Sequence, residues 1–464
     1  MQVLSLIERF FLAAHDAGLG LGAGFVVGVG GRVPRALIRD AWTILGDRYP
    51  IVRSVLVRRR WREHGWSGFA WKEVFDADFG PLFVTESEDA ARSGEPLATR
   101  LDRALEIYGN LNVDIDRQPP AQLVVFEAAS GETALVIRIH HAGLDGIGLA
   151  VLSQDFAEIL DDLARGERPS RAQLAIAPRG MGRYFWAVGV RGMVAAWIAR
   201  ARVNRWNRPR ANDALPVTWH DRRPVTASVK RVIPSERFDA MRAAAKTNGL
   251  SFNDVVLAAV ARACVAFAAA RGVRMRKVTI SVPMNLRAYR RLDPRESVAN
   301  QGIAVEIHVG ARWLDDRDEL LHAIRAQTRA YKATPLPLVT LARSLFLFGL
   351  PYPWVVRSMR AMLRRAQVPR TAPTLTVSNV GPIWRRPDGS TIDRIAGCPV
   401  VYTRHVYQSG YPMPGTLALY TYRNEVQMEM SFAAGGLERA DADELLGRVR
   451  SELFAVLALE DADG

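Results

Sequence analysis

Two runs of alternating apolar residues, Gln122–Ala129 and Glu132–His140, flank Ser130-Gly131, and the second stops abruptly at His140-His141-Ala142-Gly143-Leu144-Asp145-Gly146. Period-two alternation marks a half-buried strand, and a Ser-Gly pair between two such runs marks a hairpin turn. Directly after the break, Leu149, Leu152, Phe156, Ile159, Leu160 and Leu163 fall at the spacing of a helix with one apolar face. A hairpin that feeds straight into an amphipathic helix excludes an all-helical bundle and an all-strand sandwich. The chain must stack helices on sheets.

The rest of the sequence repeats this grammar. Gly24–Gly30 reads as a strand, and Val33-Pro34 then opens a helical pattern through Leu37, Ile38, Trp42, Ile44 and Leu45. Ile51–Val57 and the segment 58–75 read as strands, the latter around a glycine-containing turn. Glu167 to about Pro216 is punctuated by Arg, Pro and Gly around an apolar helix-like middle, Tyr184–Ile198, and so reads as a connection. Beyond it come a strand at Ser228–Ile233, a helix at Pro234–Asn248 and a long apolar helix at Phe252–Ala270 with Ser251 as its N-cap. Strands follow at Lys277–Pro283 and Gln301–Val309, separated by the basic loop Asn285–Arg295. Leu375–Val380, Thr416–Tyr422 and Val426–Phe432 are further strands, and a helix at Asp441–Leu459 closes the pattern. With 464 residues the expectation is an α/β (α+β) protein in two comparable parts: residues 1–180, a crossover at 181–216, and 217–464.

Charge narrows the partners. Lys+Arg number 62 against 48 Asp+Glu, a net +14, and the only lysines are Lys72, Lys230, Lys246, Lys277 and Lys332. The segments Arg168–Asn212 and Leu320–Pro387 hold no Asp or Glu while Arg and aromatic residues recur through both. Such belts suit a phospholipid surface or the phosphates of a coenzyme A or phosphopantetheine arm, and a solvated arginine face is the plain alternative. No zinc-finger spacing, RNP-like run or Lys-rich tail accompanies the charge, so nucleic acid is not the expected partner. Cys264 and Cys398, far apart, supply neither a CxxC metal site nor a disulfide framework. The first residues carry Glu8 and no basic leader region. The charge-free runs Gly18–Gly31 and Ser344–Val356 are shorter than a bilayer-spanning helix. The expected location is therefore cytoplasmic, with peripheral contact to the inner face of a membrane as an option.

The chemistry concentrates in HHxxxDG, residues 140–146, set in a loop between strand and helix where a side chain can reach a cleft from a rigid support. The bland reading has two histidines ending a strand and Asp145 capping a helix. With this motif the chain resembles the chloramphenicol acetyltransferase-like superfamily, which includes condensation domains of peptide synthetases and the wax ester synthase/diacylglycerol acyltransferases. Three more segments are similar to the latter branch: Phe252-Asn253-Asp254-Val255-Val256-Leu257-Ala258, Val282-Pro283-Met284-Asn285-Leu286-Arg287 and Thr376-Val377-Ser378-Asn379-Val380-Gly381-Pro382. Together with Ser5–Leu12 and the closing hairpin, the resemblance runs nearly the whole chain in order. The sequence departs from the branch at Pro119-Pro120-Ala121, where Pro-Leu-Trp is usual, and at Val380-Gly381-Pro382, which lacks one proline.

The resemblance implies two chloramphenicol acetyltransferase-like subdomains, each a mixed sheet with helices, and an active-site tunnel between them. It implies that His141 is the general base that takes the acceptor's proton, that His140 packs beneath the loop, and that Asp145 pairs with Arg287. Ser378 and Asn379 would lie beside the reaction centre to stabilise the oxyanion. Gly143 and Gly146 would allow close approach, and Asn253 and Asp254 would support the site or simply cap their helix. Acyl transfer from a thioester needs a base and oxyanion donors but neither a metal nor a further cofactor. The leading function is transfer from acyl-CoA to an alcohol, in lipid metabolism. The alternatives are transfer from a carrier-protein thioester to an amine or alcohol, and a non-catalytic lipid-binding protein. The remaining histidines, His15, His64, His220, His308, His322 and His405, show no partner pattern and read as ordinary surface or core residues.

Overall fold

The computed structural model describes the chain except Met1 and residues 59–67, 76–78, 87–94, 96–98, 104–112, 175–176, 206–212, 221–224, 349, 365–371, 387, 410 and 462–464. Its first part runs β1 (Gln2–Val3), α1 (Leu6–Asp16), β2 (Gly22–Val29), α2 (Arg35–Arg48), β3 (Ser54–Arg58), β4 (Phe69–Glu73), β5 (Leu82–Thr85), β6 (Ala121–Glu127), β7 (Thr133–His140) and α3 (Gly146–Ala164). Ser5 and Glu8 form a reciprocal capping box that starts α1. The hairpin and the helix after it stand as the sequence expects. The expected strand at Ile51 begins later, because Pro50 opens a 3-10 turn over Pro50–Arg53. Part of the expected strand pair in 58–75 lies outside the described residues.

The crossover contains α4 (Gly182–Asn204), whose backbone kinks at Gly189 with φ 66°. The second part comprises β8 (Thr226–Ile233), α5 (Ser235–Thr247), α6 (Phe252–Ala269), β9 (Lys277–Asn285), β10 (Gly302–Gly310), α7 (Arg317–Ala333), α8 (Leu336–Phe348), α9 (Tyr352–Leu363) and β11 (Leu375–Pro382). It ends with β12 (Arg394–Ile395), β13 (Cys398–Tyr407), β14 (Gly415–Tyr422), β15 (Glu425–Ala433) and α10 (Arg439–Val456). The turn between β14 and β15 places Arg423 and Asn424 at φ 51° and 62°, the left-handed pair that matches a tight hairpin to strand twist. Helix α6 has the length and hydropathy of a membrane span, yet it is a core helix: nearly every residue from Asp254 to Ala261 is buried under α10, α7 and the second sheet.

Two six-stranded mixed sheets carry the fold. The first has the order β12-β13-β2-β7-β6-β5 and the second β10-β9-β11-β14-β15-β8. A small sheet, β1-β4-β3, flanks them. Helices α2 and α3 cover the first sheet around Phe25, Trp42 and Phe156. The division expected at residue 217 is not a division of sheets. β13 comes from the second part yet pairs antiparallel with β2 in the first sheet, with Thr403 opposite Val27. Buried polar bonds also tie β13 to the second sheet. Arg404 pairs with Glu429 of β15 and donates to Ser228 Oγ of β8 at 3.0 Å, and Lys230 Nζ donates to the Thr403 carbonyl at 2.6 Å. One strand therefore belongs to both halves.

Candidate active site

The catalytic candidates meet where β7 ends and the edges of the second sheet begin. The loop after β7 is held from below at several points. The Gly143 N–H donates to the His140 carbonyl at 2.9 Å, and Arg179 donates to the Gly143 carbonyl at 3.1 Å. Arg179 also donates to the Val298 carbonyl at 3.2 Å and forms a fully buried pair with Glu8 of α1. Burial raises the Glu8 pKa, against the pull of Arg179. A Cβ on Gly143 would lie 2.7 Å from Pro120, so only glycine fits at that place. The unusual Pro120 and the motif glycine are packed on each other.

Asp145 caps α3 by accepting from the Gly148 N–H at 2.8 Å. Its carboxylate takes two further bonds from Arg287, at 2.7 and 3.0 Å, and one from the Gln301 N–H at 2.9 Å. Arg287, itself 1% exposed, spends its other donors on Ser297 Oγ at 2.8 Å, the Ser297 carbonyl at 2.8 Å and the Ala299 carbonyl at 2.9 Å. The pair spans the two halves and is bidentate, so it fixes both the loop and the approach of β9 to α3.

His141 is oriented by the loop that it begins. Its Nδ1 lies 3.1 Å from the Leu144 carbonyl, which can only accept, so Nδ1 carries the proton and Nε2 is left as the basic nitrogen. Among the described residues no protein group bonds Nε2, and the ring lines a cavity of about 300 Å³. Phe11 stacks on one side of the imidazole, with centroids 5.4 Å apart, and Tyr407 lies parallel to it at 6.2 Å with 4° between planes. The His141 carbonyl is held by the Asn300 amide and its N–H by the Leu21 carbonyl. Burial lowers the His141 pKa below the ordinary 6.5, while the Asp145 charge and the Leu144 carbonyl pull it upward.

His140 faces the other way. Its Nδ1 accepts from the Ala142 N–H at 3.0 Å, so its Nε2–H donates to His15 Nδ1 at 3.1 Å. Burial, with His15 and His141 nearby, pushes its pKa well below 6.5. It is a neutral bracket between the loop and α1. The ordinary role expected for His15 therefore needs correction, because His15 completes that bracket.

Ser378 and Tyr407 line the same cavity as His141. Their hydroxyls are 3.1 Å apart, so one proton lies between them and the other remains to donate to a substrate oxygen. Burial raises the Tyr407 pKa to about 12. A Cβ at Gly146 would approach Tyr407 Oη to 3.2 Å, so the glycine lets the phenol sit close over the start of α3. Asn379 also lines the cavity, but its side-chain amide donates to Asn253 Oδ1 at 2.6 Å, and Asn253 is exposed on a neighbouring pocket. Asp254 does not reach the cavity. It closes a capping box with Ser251 and accepts from Thr328 Oγ1 at 2.7 Å.

The structure thus brings His141, Asp145, Gly146, Ser378 and Asn379 to one cavity, with Arg287 directly behind it, and leaves Asn253 and Asp254 in supporting positions. It adds Asn300 and Tyr407, for which no local motif existed, and Phe11, which lies in the Ser5–Leu12 segment but has no role expected of it there. Among the described residues no group of three or more His, Cys, Asp or Glu is placed to hold a metal ion.

The arrangement of two mixed sheets with helices is one that solved structures share. The first condensation domain of the calcium-dependent antibiotic synthetase, in complex with a substrate analogue, matches with a TM-score of 0.69 at 15% identity, covering 98% of this chain and 96% of that one. The starter condensation domain of rhizomide synthetase, in a mutant form with C8-CoA, matches at 0.65 and 13% identity, covering 99% and 94%. The epimerization domain from the third module of tyrocidine synthetase B matches at 0.60 and 13% identity, covering 98% and 97%. The chain has the condensation-domain fold over essentially its whole length. No family model matches the sequence, and no curated protein matches it either.

Proposed function

We propose that the protein is an acyltransferase that moves an acyl group from acyl-CoA to an alcohol by direct attack. The observation that carries this reading is the pinned tautomer of His141, which leaves Nε2 as an unprotonated base facing the cavity. His141 Nε2 takes the proton of the acceptor hydroxyl as its oxygen bonds to the thioester carbonyl carbon. The carbonyl oxygen becomes an oxyanion, and the free proton of the Ser378–Tyr407 pair donates to it. Collapse of the tetrahedral intermediate breaks the carbon–sulfur bond, and the leaving thiolate recovers the proton from His141. A lowered pKa suits the base, because the imidazole stays neutral to a lower pH than an ordinary histidine does.

A second reading shares the chemistry and changes the partners: a carrier-protein thioester as donor and an amine as acceptor. The condensation domains among the structural relatives favour it, while the relative bound to C8-CoA favours the CoA donor. The deciding experiment incubates the purified protein with acyl-CoAs of graded length and a panel of alcohols and amines, and follows free CoA thiol. Acceptor-dependent release that falls about 10²–10⁴-fold in His141→Ala supports the first reading. Release unaffected by His141→Ala overturns both. Release only from acylated carrier protein selects the second.

A further inference from the structure

The acid-free segment in the crossover folds into α4, and its outer face is covered by nothing among the described residues. Trp186 is 90% exposed and Val190 81%, and Val194, Trp197 and Ile198 are each at least half exposed. Val190, Val194, Trp197 and Ile198 recur at three- and four-residue intervals and form one stripe beyond the Gly189 kink, and Trp186 is exposed on the short helical stretch before it. Monomeric proteins rarely leave such a continuous apolar face to water. Arg183, Arg191 and Arg202 are also exposed on α4. Among the described residues none of them has a carboxylate partner, and no Asp or Glu occurs anywhere from Arg168 to Asn212.

From this face we infer that α4 lies flat on an anionic phospholipid surface and is the membrane-docking element of the protein. Three features select the occupant. Tryptophan and arginine together match the headgroup boundary, where indoles anchor and guanidiniums meet phosphates. Between Gly182 and Val203 there is no Ser, Thr, Asn, Gln, His or Lys. The face therefore offers no directional polar pattern for a folded protein to read, which a fluid interface does not require. A second copy seated face to face would oppose one arginine-bearing, acid-free helix to another, like charges in an isologous contact. The helix lies on the surface and does not cross it, since its arginines interrupt the apolar run and α4 is not among the described helices apolar enough to span.

The inner face of α4 gives the docking a purpose. Phe185, Val188 and Met193 pack against a buried cluster of Ile7, Tyr184, Leu286, Leu338 and Leu341, against which Phe11 and Ile303 also pack, and those two line the His141 cavity. A docked α4 sets the lipid on the far side of that cluster from the cavity. This consequence rests on the acyltransferase reading, whereas the docking itself does not.

The test is sedimentation of the full chain with vesicles of phosphatidylcholine alone and of phosphatidylcholine with about one-third phosphatidylglycerol. The native chain should pellet with the anionic vesicles and be released by salt. Trp186→Ser/Trp197→Ser should weaken partitioning at least about tenfold. Arg191→Gln/Arg202→Gln should weaken it about fivefold per arginine on anionic vesicles only. Val190→Ser/Val194→Ser probes the same stripe without touching an aromatic residue, and circular dichroism establishes that each variant is folded. Absence of pelleting by the native chain overturns the inference, as does equal pelleting of the folded Trp and Val variants. So does a native dimer that Trp186→Ser/Trp197→Ser dissociates while neither form binds vesicles.

Discussion

The buried Asp145–Arg287 pair is the most exposed to a quantitative test. Arg287→Met keeps the length of the side chain but leaves the Asp145 carboxylate, 7% exposed, with only the Gly148 and Gln301 N–H donors. It also strips the Ser297 and Ala299 carbonyls of their guanidinium donor. Removing one partner of a buried pair costs about 3–5 kcal/mol, because the other charge stays in place without its counter-ion. Asp145→Asn should cost a similar amount, since it leaves Arg287 buried among carbonyls. The double variant Asp145→Asn/Arg287→Met buries no lone charge, so its cost should fall short of the sum by about 2–3 kcal/mol. Urea unfolding followed by circular dichroism measures all four proteins, and each single change should lower the midpoint by about 1 M. Strict additivity, or a single variant within about 1 kcal/mol of the native chain, refutes the claim that this pair clamps the halves. Asp145→Asn should also lower the His141 pKa further, because the Asp145 charge is what pulls it upward.

The remaining predictions concern the site and its surroundings. If neutral His141 is the base, activity should fall on acidification with an apparent pKa below 6.5, and that limb should move lower still in Asp145→Asn, read from the pH profile of kcat/KM. Tyr407→Phe and Ser378→Ala should each reduce kcat with little change in KM, and the double variant should fall about 10²–10³-fold, below either single one, because each single change leaves one hydroxyl with a proton to donate. Among the described residues neither ring nitrogen of the buried His405 has a hydrogen-bond partner, and burial lowers its pKa to about 3. The unfolded chain takes up that proton first as pH falls, so stability present above about 6.5 is lost progressively toward pH 3, by an amount on the order of 4 kcal/mol. His405→Leu should flatten that loss in thermal melts between pH 7 and 4, and should raise stability at pH 7 by about 1–3 kcal/mol.

What the sequence revealed follows from how local each signal was. The strand–loop–helix at residues 133–164 was legible because period-two and period-3.6 spacing meet at one break, and Ser251 and Asp145 were legible as caps. The partnership of Asp145 with Arg287 came through resemblance, since 142 positions separate them. Tyr407 and Asn300 escaped because nothing near them in the chain marks a site, and Phe11 escaped because the Ser5–Leu12 segment gives no sign of which residue faces the cavity. Each acquires its role from a sheet or helix contact made far away in sequence. Strand β13 escaped as well, although Val400-Val401-Tyr402 carries strand-forming residues, because its partner β2 lies almost at the other end of the chain. Asp254 takes the plainer of its two expected roles: a capping box is sufficient reason for an aspartate there, and the structure uses it as one.

The placement of β13 has a consequence for how the protein is made on the ribosome. Strand β2 is complete at Val29, but the neighbour that covers its outer edge ends at Tyr407, roughly 380 residues later. At about 5–20 residues per second the nascent chain carries that bare edge for some twenty seconds to over a minute. An apolar strand with open backbone donors and acceptors is a template for pairing with other chains. A fragment cut after residue 217 keeps the defect permanently and is expected to aggregate, while the second half expressed alone carries β13 with no sheet edge to join. The protein can thus be synthesised from one end, but neither half reaches its final shape until the strand shared between them has been translated.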